Sequence, residues 1–294
     1  MPLAYERLRK AVRNIAGWKI TAYLFLAFSV GETVRILPGV KVTELQPAAF
    51  FCLGMIALSV GRLCGVAHPY PAPEVAVILF AIAKASFMDF LTATLPAVDE
   101  FLLAFDRSYG YAGMLIGQMF YRSPVWDAIF RFLYYSLMLA IPLLYLGMPT
   151  TAVRKTFARA MVLAAICILP FYALCPGAGP VYLLRDSFPW GIINVSQPHV
   201  RTISGALNTT PSGHFAWALL MFWFARKYCT KPLQIATGIF MVSMCIATLG
   251  TGEHYIVDLV LAAPFAAGIW ALAHRQWRSA AVSMAVVLVW LMAL

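Results

Sequence analysis

Long apolar runs broken by short polar connections organise this chain of 294 residues. A helix needs about 20 residues to cross roughly 30 Å of hydrocarbon. Runs of that kind can be laid over 18–37, 47–67, 74–97, 126–147, 156–175, 212–229, 232–250, 255–274 and 278–294. They are continuous instead of alternating in pieces of about ten residues, which predicts helices and not a barrel. The expected fold class is all-α, a polytopic membrane helical bundle with about nine transmembrane helices. The last run is short enough to lie obliquely or partly in the interface.

Two connections are long, roughly 98–125 and 176–211, and long connections are where function tends to sit. The first mixes Phe101, Leu102, Leu103, Phe105, Tyr109 and Met119 with Asp99, Glu100, Asp106 and Arg107. It suits either an amphipathic helix lying in the membrane interface or a packed cap over the bundle. The second opens with Cys175-Pro176-Gly177-Ala178-Gly179-Pro180, which ends the fifth run sharply, and goes on to Arg185, Asp186, His199, Arg201 and Asn208.

With 62% hydrophobic and only 12% charged residues, the composition excludes an ordinary soluble domain. A formal charge of +10 could suggest a nucleic-acid partner, but the placement of the cations answers to a membrane. Arg7, Arg9, Lys10, Arg13, Lys19, Arg154, Lys155, Arg159, Arg226, Lys227, Lys231, Arg275 and Arg278 all fall on one side of the nine-run topology. The positive-inside rule makes that side, and the N-terminus, cytoplasmic. The first run reads as an uncleaved span, because Glu32 and Arg35 follow it instead of a clean small-residue cleavage site. Cys52, Cys64, Cys167, Cys175, Cys229 and Cys245 lack C-x-x-C spacing and read as small core hydrophobes.

Two motifs at the other side carry the candidate chemistry: Pro211-Ser212-Gly213-His214 and His254-Tyr255-Ile256-Val257-Asp258. Ionisable side chains gathered where apolar helices meet water are functional by default. Thr210 reads as an N-cap with Pro211 at the first helical position, leaving the Ser212 and Gly213 N–H groups to attract phosphate. His254 and Asp258, four apart, share a face if helical, and the carboxylate can fix the imidazole tautomer. Together these parts suit two-step phosphoryl transfer, with His254 attacking phosphorus and His214 moving the proton. No carboxylate cluster suited to catalytic Mg²⁺ accompanies them, so no metal and no other cofactor is expected.

The residues resemble those of the type 2 phosphatidic acid phosphatase superfamily, in which the P-S-G-H segment opens core helix four and a second His with its Asp opens core helix six. That resemblance implies His254 as nucleophile, Asp258 as its partner and His214 as acid–base residue. It divides the chain into additional helices over 1–73, a six-helix catalytic core over 74–275 and an additional helix over 276–294. The lipid-phosphatase branch carries a K-x6-R-P motif where this chain has the 175–180 turn, and an arginine where it has Thr248. The pattern is more similar to the branch of inositol phosphorylceramide synthases and related sphingolipid synthases, which implies transfer of a phospho-headgroup between lipids. Substrate contacts are then expected from Ser212, Gly213, Arg201, Asn208 and Arg185.

Asp127 and Arg131 would pair with each other or bind a headgroup, while Lys84 and Asp89 sit inside the third run without sharing a face. The expected partners are membrane lipids, with no nucleic acid and the site facing periplasm, lumen or exterior. Rival readings are a plain lipid or polyprenyl phosphate phosphatase, or a transporter or flippase without catalysis. A transporter predicts inverted repeats and helices broken at the midplane, and neither shows in the sequence.

Overall fold

The computed structural model describes residues 47–66, 90–91, 94–191, 197–203 and 205–293. Regular structure among them is helical, apart from one isolated antiparallel bridge between Ala97 and Arg201. The helices are α1 (Pro47–Leu63), α2 (Asp99–Arg107), α3 (Ala112–Tyr121), α4 (Pro124–Gly147), α5 (Thr151–Cys167) and α6 (Leu169–Leu174). They continue with α7 (Pro180–Leu184), α8 (Gly213–Tyr228), α9 (Lys231–Gly250), α10 (Ile256–Ala273) and α11 (Trp277–Ala293).

Four segments are long and apolar enough to cross a membrane: Pro124–Gly147, Thr151–Leu174, Lys231–Gly250 and Ile256–Ala273. The chain is thus an integral membrane protein. α1, α8 and α11 are shorter helices on three other predicted runs. The run at 18–37 and most of that at 74–97, with Lys84 and Asp89, lie outside the described residues. The six cysteines are thiols and not disulfide partners.

α8 and α10, which carry the two motifs, form the centre. Ala218, Leu220, Phe224, Leu261, Phe265 and Ile269 are fully enclosed, as expected of helices apolar on every side. α10 packs against α11, α8 and α5, while α9 packs against α8, α3 and α4. Leu143, Ile235, Ile239 and Val242 point outward and would face lipid. Lipid is as apolar as leucine, so close packing has to hold such helices together. A Cβ at Gly54 would lie 2.6 Å from the Met138 carbonyl oxygen. Gly54→Leu would therefore force α1 away from α4.

The first long connection is mostly helical. α2 buries Asp99, Glu100, Leu102, Leu103 and Asp106, so of the two alternatives it takes the packed cap. The helix cannot lie free at an interface, because its carboxylates have partners inside the protein. α3, on the same connection, leaves Leu115 and Met119 exposed.

Candidate active site

Three hydrogen bonds join the two motifs. The Thr209 carbonyl lies 3.0 Å from His254 Nδ1, the Thr210 hydroxyl donates to Asp258 Oδ1 at 2.5 Å, and the Ser212 N–H donates to the Asp258 carbonyl at 3.0 Å. The segment before α8 is thereby fastened to the start of α10. His214, in the first turn of α8, reaches the same place, with its ring centroid 6.2 Å from that of His254. The two imidazoles are thus neighbours, close enough to act on one and the same group.

His254 is buried, and its Nδ1 faces the Thr209 carbonyl at 3.0 Å and Asp258 Oδ2 at 3.4 Å. A carbonyl can only accept, so Nδ1 carries a proton, and in the neutral ring Nε2 keeps its lone pair. The backbone carbonyl is the nearer of the two partners. It has no signature in the sequence, which is why only Asp258 was expected to orient the ring. The pair also meets differently from the expectation. His254 precedes the helix, which starts at Ile256 with Tyr255 as N-cap. Asp258 turns back to accept the Tyr255 N–H at 2.7 Å, and that brings its carboxylate beside the His254 ring.

The start of α8 also departs from expectation. Its N-cap is Ser212, whose hydroxyl accepts the Phe215 N–H at 3.4 Å, and the Thr210–Pro211 bond before it is cis. The helix starts at Gly213, so Ser212 stands at the cap position, while the Thr210 hydroxyl is engaged by Asp258. The Ser212 N–H is already paired with Asp258, so it is not the open phosphate donor the motif suggested. A Cβ on Gly213 would come within 3.0 Å of the Tyr172 hydroxyl. The missing side chain thus accommodates Tyr172 of α6. Tyr134 of α4 stacks on His214 with ring centroids 4.0 Å apart and planes at 21°, fixing the orientation of that ring.

Of the expected basic ligands, Arg201 is exposed and paired with Glu100 and His199. Arg185 is exposed at the start of a 3-10 turn, and Asn208 is half-buried just before Thr209. Neither Arg201 nor Arg185 is among the partners described for His254. Arg131 of α4 pairs with Asp127 at 2.8 Å and donates to the Tyr121 hydroxyl at 3.1 Å.

Sequence reasoning passed over the carboxylates of α2. Asp99 accepts the Ala178 and Gly179 N–H groups, the latter at 2.7 Å, and the Tyr255 hydroxyl at 2.7 Å. Asp106 accepts the Ile256 N–H at 2.8 Å, on the first turn of α10, where a negative charge also complements the helix dipole. Burial pushes the Asp99 carboxyl up to about 6 and that of Asp106 up to about 7. The turn that Asp99 holds requires glycine. Gly179 has φ +112°, and a Cβ there would sit 2.7 Å from the Glu253 carbonyl oxygen. A signal for these acids was present, since Asp99, Leu102, Leu103 and Asp106 fall at i, i+3, i+4 and i+7 on a single helix face.

Glu253, beside His254, is hydrogen-bonded to the Tyr182 side chain, and burial of its charged end raises its carboxyl above the ordinary range. Opposing that shift, the Arg131 guanidinium is a positive neighbour it feels. Among the described residues no three His, Cys, Asp or Glu side chains are arranged to hold a metal ion.

A family model described as the PAP2 superfamily matches residues 100–272, more than half of the chain and the whole of both motifs. No curated protein and no solved structure matches.

Proposed function

The chain belongs to the PAP2 superfamily and is an enzyme of its phosphatase or phosphotransferase class; on that premise we propose an integral-membrane lipid phosphotransferase working through a phosphohistidine. The observation that carries this reading is the clasp between the motifs, in which the Thr209 carbonyl and Asp258 hold His254 Nδ1 while His214 stands 6.2 Å away. His254 Nε2 attacks phosphorus of a phospholipid, forming a P–N bond as the P–O bond to the departing lipid alcohol breaks. His214 gives that alkoxide its proton. The same ring then takes the proton of an acceptor hydroxyl. The acceptor oxygen attacks phosphorus, the P–N bond breaks, and His254 is restored.

Transfer between lipids is favoured over release of inorganic phosphate by the charge around the site. The cations of the lipid-phosphatase branch are absent from the 175–180 turn and from Thr248, and the carboxylate beside the His254 ring is Asp258. A dianionic phosphomonoester finds fewer cations there to offset its charge, whereas a phosphodiester carries a single charge and needs fewer. The enclosed cap α2 adds to this by limiting the access of water to an intermediate. With the cation-rich ends of the helices cytoplasmic, the histidines face periplasm, lumen or exterior.

The test is to give purified protein a labelled donor phospholipid with and without ceramide, diacylglycerol, inositol or sugar-lipid acceptors. The expected result is a new labelled lipid that depends on the acceptor. Rapid release of inorganic phosphate from phosphatidate or polyprenyl phosphate, with no acceptor dependence, would establish a phosphatase instead.

A further inference from the structure

At the opposite end of the bundle, α8, α10 and α11 enclose a groove of about 600 Å³. Each helix contributes a pair of residues four apart, Trp223 and Lys227, Ala267 and Ala271, Ser279 and Ser283. Residues at that spacing share a face, so the groove is formed by three helix faces and not by one loose loop. Arg226 also lines it. From His214 to Arg226 along α8 is about 18 Å of helix axis, so this is a separate place from the histidines.

The lining divides into a polar mouth and an apolar body. Lys227 Nζ lies 5.3 Å from the centre of the Trp270 ring and 5.1 Å from that of Tyr228. Aromatic faces hold an ammonium without cancelling its charge. Arg226 and Lys227 are both exposed, and neither has a carboxylate partner among the described residues. No Asp or Glu occurs in 213–252 or 259–293, so all three helices are free of acid at this end. Ser279 and Ser283 add hydroxyl donors to the lining, while Ala267 and Ala271 form a shallow apolar wall beside Trp223 and Trp270, whose rings meet edge to face with centres 6.1 Å apart.

Two unneutralised cations and two hydroxyls beside an apolar slot between transmembrane helices match a phosphate-bearing headgroup with an acyl chain attached. We infer that this groove binds one anionic glycerophospholipid from the leaflet opposite the catalytic histidines. The headgroup lies against Arg226, Lys227, Ser279 and Ser283, and the chain along the alanine wall. A zwitterionic lipid fits the slot equally well but gains less, because its own ammonium opposes the two cations.

The experiment uses the full chain in nanodiscs of phosphatidylcholine with a minor fraction of phosphatidylglycerol. After mild detergent extraction, retained lipid is identified by native mass spectrometry. Wild type should retain phosphatidylglycerol over phosphatidylcholine roughly 20-fold beyond their mixing ratio. Arg226→Gln with Lys227→Gln should bring that preference below about threefold, since it removes both charges from the mouth. Ser283→Leu keeps the charges but fills the slot, and should lose bound lipid of either kind. Lys155→Gln with Lys231→Gln removes as much charge from the same membrane side outside the groove, and should retain the preference. Equal retention of the two lipids by wild type would overturn the site, as would equal loss in this control pair. Displacement of phosphatidylglycerol by millimolar inorganic phosphate would show an anion site in place of a lipid site, and would overturn the assignment too.

Discussion

The two ends of the helical bundle handle charge in opposite ways. At the histidine end, Asp99, Asp106 and Asp258 are buried, and each carboxylate accepts backbone N–H groups or hydroxyls from another segment. At the other end Arg226, Lys227, Lys231, Arg275 and Arg278 stand at the surface with no acid nearby in the sequence. A buried charge must be matched closely or it destabilises the fold, and the matching holds its surroundings in one geometry. An exposed charge needs no partner and remains available to the membrane. The first end is therefore suited to orienting reacting groups, and the second to attracting anions.

The comparison breaks most severely if the histidine end is not where the chemistry occurs. His254→Ala is expected to lower kcat/KM by at least about a thousandfold while the protein stays folded, because it removes the nucleophile. Wild-type turnover should persist in EDTA. Asp258→Asn and His214→Ala should each lower turnover by roughly a hundredfold to ten-thousandfold. Asp258→Asn should also reduce thermal stability, since Asp258 joins Thr210 to the Tyr255 N–H. Assays of labelled lipid, paired with thermal unfolding, separate the two effects. Near-normal turnover in His254→Ala would exclude the phosphohistidine route.

Much of the histidine end was legible beforehand because polar residues stand out against apolar runs. His214, His254 and Asp258 are the ionisable groups at the mouths of α8 and α10, and spacing and residue type alone set them apart. The helices they begin were equally visible from hydropathy. What could not be read depends on contacts between distant segments. Thr210 does not cap α8 but bonds Asp258, 48 residues away. The Thr209 carbonyl that holds His254 is backbone and could belong to any residue. Asp99 and Asp106 suited an interfacial helix as well as a packed cap, although their helical register with Leu102 and Leu103 put them on the apolar face.

A smaller effect concerns the pH at which the histidine end holds together. The Asp106 carboxyl is raised from 3.8 to about 7 and that of Asp99 from 3.8 to about 6, both chiefly by burial. A raised carboxyl binds its proton more tightly in the folded state than in the unfolded chain. Stability from these groups is thus complete below about pH 4 and declines as pH rises through about 6 and then about 7. Thermal unfolding in detergent should show this fall between those limits and no further contribution from them above. Asp106→Asn keeps an oxygen acceptor for the Ile256 N–H and should remove the upper part of the slope. An unchanged pH profile in Asp106→Asn would show that another group is responsible.

The smallest effect is expected at the cation end, where it is the test of independence. Arg226→Gln with Lys227→Gln should change turnover less than about twofold in detergent at saturating substrate. The reason is distance and screening: about 18 Å of helix separates the pair from His214, and exposed charges farther apart than a Debye length of about 8 to 10 Å interact weakly. The local packing should also survive, because Phe224 of α8 keeps its contacts with Trp270 and Phe157 whatever lies at the two surface positions. The same variant is the one expected to lose preference for anionic lipid, so one protein reports on both ends. A large loss of turnover in detergent would mean that charge at Arg226 and Lys227 is coupled to the histidines through α8. The two ends would then have to be treated as a single device.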